Sequence, residues 1–200
     1  MDFFQENLEA IMTGKVPEQR KIAKGIAEKI PPADLRKTIA PYVTDGRWEV
    51  RNFLAILLAE VGKKDPSGLE EFLLALAADV NWRVREAAAS IIVEVGKKNL
   101  DWVLQTAAQL RQQKDPNQIR TGLEGLREIA RKKPQSVILE AKPFLNHASK
   151  YVRDAAANLL RNASRISPDY VGDIISQWQR EYQHDAVALR TLKAGGKNLE

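Results

Sequence analysis

The chain has 200 residues, a formal net charge of +5, no cysteine and only two histidines. Its 44% of hydrophobic residues can bury a core, while the lack of cysteine excludes disulfides, thiolate nucleophiles and a conventional zinc site. No apolar run is long enough to span a bilayer and Met1–Glu6 lacks the basic flank of a signal peptide, so no membrane contact is expected. The missing cysteines fit a reducing, cytoplasmic compartment, and the chain is expected to be a monomer without a metal.

In chain order, Asp2 to Met12 reads as a short amphipathic helix, with Phe3, Phe4, Leu8 and Ile11 on its apolar side. A second helix begins at Pro17 and runs to about Ile30, before Pro31-Pro32 break the chain. A third runs from Ala33 to Val43. These capping helices, residues 1–44, would cover the end of a repeat array that a terminal repeat leaves open.

From residue 45 to about 190 a two-helix period takes over. Asp45, Asp79, Asp115 and Asn146 each precede a helix as a candidate N-cap, and an apolar–Arg pair follows at Val50, Val84, Ile119 and Val152. The spacing is about 34 residues, in the range of two-helix solenoid repeats. The helix after Asp79 carries Val84, Ala87, Ala88, Ile91 and Val95 on one face and ends at Gly96. Its counterpart after Asp45 ends at Gly62. Partner helices are expected at Ser67–Ala78, Leu100–Lys114, Pro134–Leu145 and Pro168–Tyr182, with Pro143 kinking or ending the third. Nothing alternates with period two, so strands are not expected. The predicted fold is one all-α domain over residues 1–200, an α-α superhelix of about four stacked antiparallel helix pairs. It resembles HEAT repeats, in which the Val-Arg helices line the concave side. Residues 193–200 are read as a tail without function.

Stacking would set equivalent positions in rows. One row holds Trp48, Trp82, Asn117 and Lys150; the next holds Asn52, Glu86, Thr121 and Asp154; a third holds Ala55, Ala89, Glu124 and Ala157. Two tryptophans exposed in one register suggest something packs on them. Arg51, Arg85, Arg120 and Arg153 have two readings. One is a ladder between repeats, each arginine on a cap Asp or a backbone carbonyl. The other is contact with phosphate. Lys63-Lys64, Lys97-Lys98 and Arg131-Lys132-Lys133 follow the same helices. Their cations suit helix C-termini and would also form a strip that tracks a nucleic-acid backbone.

There is no Gly-x-Gly-x-x-Gly, no Walker sequence and no local nucleophile motif. The chemistry left is a carboxylate, an indole and arginines. Trp82-Arg83-Val84-Arg85-Glu86, the string Arg120-Thr121-Gly122-Leu123-Glu124-Gly125-Leu126-Arg127, and Tyr151-Val152-Arg153-Asp154 resemble the HEAT-like alkylpurine DNA glycosylases of the AlkC and AlkD kind, over about Asp45 to Trp178. The resemblance implies a DNA-binding protein that releases N3- or N7-alkylated purines by hydrolysing the N-glycosidic bond, without a cofactor. It places the catalytic carboxylate on Glu86 and the substrate site on Trp82, Trp48, Arg120 and Asp154. Contacts to the backbone of double-stranded DNA would come from Arg85, Lys63, Lys64, Lys97, Lys98, Lys132 and Lys133. The alternative is a non-catalytic HEAT-repeat scaffold that holds a protein partner. A continuous basic groove around Trp82 and Glu86 would favour nucleic acid; a mixed or acidic one would favour a protein. Trp102 and Trp178 are read as packing residues.

Overall fold

The structure, a computed structural model, describes residues 3–199; Met1, Asp2 and Glu200, which the N-terminal helix and the tail were expected to include, lie outside them. Every regular element among the described residues is helical. The chain falls into two compact units divided between Thr106 and Ala107.

In the first unit, α1 (Phe3–Glu6) and α2 (Leu8–Thr13) replace the single helix expected there, with the break at Asn7. They are followed by α3 (Val16–Lys29), α4 (Pro32–Ile39) and a 3₁₀ turn at Ala40–Tyr42. Phe4 stacks on Tyr42 at 3.9 Å and meets Phe53 edge-on at 5.6 Å. The buried Gln19 side chain donates to the Ile11 carbonyl, tying α3 to α2. Helices α2 and α3 pack against α5 (Trp48–Gly62). Helix α5 buries Val50, Phe53, Leu54, Leu57, Leu58 and Val61, an apolar surface too wide for one face, because α3 packs on one side of it and α7 (Trp82–Val95) on another. Gly62 sits where α5 comes close to α7: a Cβ there would lie 2.5 Å from Val95 Cγ2. The shorter α6 (Glu70–Ala77) packs on α7.

Helix α8 (Leu100–Arg111) spans the division. The second unit contains α9 (Pro116–Gly125), α10 (Arg127–Ala130), α11 (Lys150–Ser164), α12 (Pro168–Glu181) and α13 (Ala186–Gly195). Helix α11 is its centre, packing on α9, α10, α12 and α13. Gly122 allows α9 to approach α8, since a Cβ there would meet the Ala107 carbonyl oxygen at 2.8 Å. Trp178 is buried in α12. Trp102 is half-buried, and its indole N–H donates to Glu70 at 2.7 Å. Both therefore serve packing.

Three expectations need correction. The segment read as a helix over Pro134–Leu145 is two 3₁₀ stretches, Pro134–Ser136 and Ile138–Phe144, because Pro143 lacks the N–H that an α-helical ladder would need. Helix α13 runs into the segment read as a tail, and Asn198 donates to the Arg161 carbonyl.

The third correction concerns the caps. Asp115 does cap α9, accepting the Asn117 N–H. Asp45 and Asp79 do not cap their helices; each lies two residues before the N-cap and accepts its N–H, from Arg47 at 2.8 Å and Asn81 at 2.7 Å. In the fourth repeat this position belongs to His147, whose Nδ1 accepts the Ser149 N–H, rather than to Asn146.

Candidate functional site

The turns before α5, α7 and α11 are each closed by an arginine six residues on. Arg51 donates to the Asp45 carbonyl, Arg85 to that of Asp79 and Arg153 to that of His147, at 2.5–2.6 Å. Arg51 also forms a two-pronged ion pair with Asp79, at 2.5 and 2.9 Å, joining the start of α5 to the turn before α7. The ladder between repeats is thus seen at Arg51, whereas Arg85 and Arg153 bond to carbonyls of their own turns. A guanidinium already anchored on carbonyls gives its turn a fixed shape, so the residues just beyond it leave the surface in a fixed direction.

On α7 those residues are Trp82 and Arg83. Asn81 caps the helix by accepting the Arg83 N–H at 2.9 Å. Trp82 is 57% exposed, a large fraction for an indole. Trp48 opens α5 in the equivalent register, and the two rings share one cation: the Arg83 guanidinium carbon lies 5.0 Å from the Trp48 ring centre and 4.9 Å from that of Trp82. The register of the tryptophans was legible in the repeat; the arginine between them was not singled out. The available signal was its place directly after Trp82, at the exposed start of a helix.

One turn further, the exposed Glu86 lines a cleft of about 240 Å³ between α3, α5 and α7. The cleft uses Arg83, Ala87, Ser90 and Glu94 of α7, a face adjacent to the Trp82–Glu86–Ala89–Val93 stripe read from the sequence, with Glu86 common to both. Val16, Ala55, Ile56 and Ala59 supply apolar wall; Arg20, Asn52 and Glu60 add polar groups. Three carboxylates and two guanidinium groups make its charge mixed. Burial alone would raise the Glu94 pKa, but the hydrogen bond from Lys97 and the nearby charges of Lys97, Lys63 and Arg20 outweigh it and hold the carboxyl below its ordinary range.

Trp48, Trp82 and Glu86 all lie in the first unit, where Arg83 meets both rings and shares the cleft with Glu86. Arg120 and Asp154 belong to the second, where Asp154 accepts from Lys150 at 2.6 Å. The basic residues differ in their commitments. Lys63 bridges Glu60 and Glu94, Lys97 pairs with Glu94, and Lys64 donates to the Ala27 carbonyl. Arg85 donates to two carbonyls, of Asp79 and Val80. Lys98, Lys132 and Lys133 are exposed. Among the described residues no cluster of histidine and carboxylate groups could hold a metal ion, and no helix is long and apolar enough to cross a membrane.

A model of the family described as DNA alkylation repair enzyme matches residues 2–192. Two similar solved structures come from Streptococcus mutans: smu.31 of strain UA159 and AlkD2. Each has a TM-score of 0.81 at 20% identity, covering 99% of this chain and 100% and 99% of its own chain respectively. The N-terminal domain of MAST/Orbit has a TM-score of 0.66 at 13% identity, covering 100% of this chain and 97% of its own. At such identities the likeness shows a shared fold. A comparison with curated proteins finds no match.

Proposed function

The chain belongs to the DNA alkylation repair enzyme family, and from that premise we propose that it binds double-stranded DNA and hydrolyses the N-glycosidic bond of N3- or N7-alkylated purines, with Glu86 as its catalytic carboxylate. The observation that carries this reading is the pairing of a ring site that already holds a cation with a carboxylate one turn away on the rim of a cleft. An alkylated purine is itself cationic, and an indole face attracts a cation. In the proposed step the C1′–N bond breaks and its electron pair goes to the purine, which leaves neutral. Positive charge moves to the sugar, where Glu86 stabilises it. A water oxygen then bonds to C1′ and gives its proton to Glu86 or to solvent.

Arg120 and Asp154 are assigned to the substrate side. Lys98, Lys132 and Lys133 are proposed as phosphate contacts, together with Arg85, Lys63, Lys64 and Lys97, which would exchange their present partners for phosphate. The mixed charge of the cleft supports a second reading, a scaffold that holds a protein partner there. Incubation with N-methylated duplex DNA under single-turnover conditions distinguishes them. Release of free methylpurine by the protein, lost in Glu86→Gln while duplex affinity is kept, is the expected outcome. No release and no duplex affinity at low salt would leave the scaffold.

A further inference from the structure

We propose that Arg83 is a displaceable internal ligand of a two-ring cage, and that the cage of Trp48 and Trp82 takes a planar, delocalised cation only when that cation drives the Arg83 side chain out. The proposal deepens the function proposed above, because it takes from it the class of ligand.

A guanidinium is flat, its charge is delocalised, and it stacks on aromatic faces. An N-alkylated purine shares these properties and offers a larger face. Arg83 lies within 5.0 Å of both ring centres, so an incoming base must compete with it. The competition is between near equals. A cation over an exposed ring is weakly held, and so is an exposed ion pair. The displaced side chain has a destination, since Arg83 itself lines the cleft that carries Glu60, Glu86 and Glu94.

Two consequences follow for selectivity. A neutral purine has no charge with which to replace the guanidinium, so Arg83 makes the cage discriminate against undamaged bases. A cationic base loses part of its affinity to the displacement, so the wild-type cage binds weakly and selectively rather than tightly. Arg83 in this account sets specificity and does not enter the reaction.

Calorimetric titration of the protein at mildly acidic pH, with 7-methylguanosine, a cation while its N1 keeps its proton, and with guanosine, its neutral counterpart, tests this without DNA or turnover. Arg83→Gln removes the competing charge at similar length. Releasing two exposed cation–ring contacts should tighten 7-methylguanosine binding by about 5- to 30-fold. Guanosine binding should gain far less, and Arg83→Lys, which restores a cation, should stay near wild type. Trp48→Ala or Trp82→Ala placed on Arg83→Gln should abolish the gain. Equal affinity of wild type and Arg83→Gln would overturn the competing role of Arg83 and leave the proposed function standing. No binding of 7-methylguanosine by either protein would remove the cage and with it the ligand class. A gain in Arg83→Gln together with no base release from methylated DNA would keep the cage and refute the hydrolase.

Discussion

The turn before α7 and the turn before α11 follow one plan and carry different surfaces. In each, a side chain accepts the N–H two residues on, Asp79 from Asn81 and His147 from Ser149. In each, an arginine six residues later donates back to the carbonyl of that first residue, Arg85 and Arg153. Beyond the turn they diverge. The first presents Trp82, Arg83 and Glu86, with a cation held between two indoles. The second presents Lys150, Tyr151 and Asp154, where the carboxylate is paired with Lys150 one turn back. Lys150 stands where α7 has Trp82, so no indole beside this carboxylate attracts a cationic base. The repeat therefore supplies a rigid mount, and what the mount displays decides which copy is a site.

The largest effect should come from the one arginine that does more than close its turn. Arg51 pairs with Asp79, and both side chains are almost wholly buried, at 11% and 6% exposure. Arg51→Met should cost about 3 kcal/mol in urea unfolding, because it leaves a buried carboxylate unpaired. Arg153→Met removes only hydrogen bonds to carbonyls and should cost about 1 kcal/mol. Equal losses would mean that the carboxylate adds nothing to the plan.

Next in size is glycine at close approach. Gly122→Ala pushes a Cβ against the Ala107 carbonyl oxygen and should cost about 1–3 kcal/mol. Gly25→Ala, with nothing within 4 Å of the new Cβ, should instead stabilise α3 by about 0.5–1 kcal/mol.

How far these features could be read in advance follows from the same comparison. The helical period, the Val-Arg pairs and the register of Trp48 and Trp82 are local patterns, and the helices keep them. The capping residues are ambiguous, because a carboxylate two residues before a helix and one at its cap look alike in sequence; only the arginine spacing separates them. That spacing also selects His147 over Asn146. Helix α13 was legible in the same terms. Asp185 caps it by accepting from Val187 and Ala188, and Leu189-Arg190 continues the apolar–Arg series at a spacing close to the others. The position of Arg83 between two rings was not legible, because it depends on two helices meeting at their starts.

A smaller effect is expected on DNA affinity. Lys98→Glu should weaken duplex binding by about 3- to 10-fold at low salt and flatten its salt dependence. Lys97→Glu should do less, because Lys97 is already engaged by Glu94. The reverse order in a filter-binding titration would show that the Glu94 pair opens on DNA.

The smallest effect is on acid stability. The carboxyls of Asp45 and Asp185 are held below their ordinary value of 3.8: Asp45 chiefly by the Arg47 side chain, Asp185 chiefly by the Ala188 N–H. Glu94 is held below 4.5. A depressed carboxyl stabilises the fold above its unfolded value, and that contribution is lost as pH falls through the folded one. The melting temperature should therefore be flat down to about pH 5 and fall below pH 4. Asp185→Asn should reduce that fall, and an unchanged pH profile would show that the cap is not formed in solution.

The central claim is that the catalytic carboxylate stands on α7, at Glu86, and not on α11, at Asp154. It is tested most directly by measuring methylpurine release from N-methylated duplex DNA by Glu86→Gln and Asp154→Asn side by side with wild type. The account predicts a loss of about 100-fold or more for Glu86→Gln and a loss within about 10-fold for Asp154→Asn, with both variants keeping duplex affinity. Release at the wild-type rate by Glu86→Gln, or a greater loss in Asp154→Asn, would contradict it.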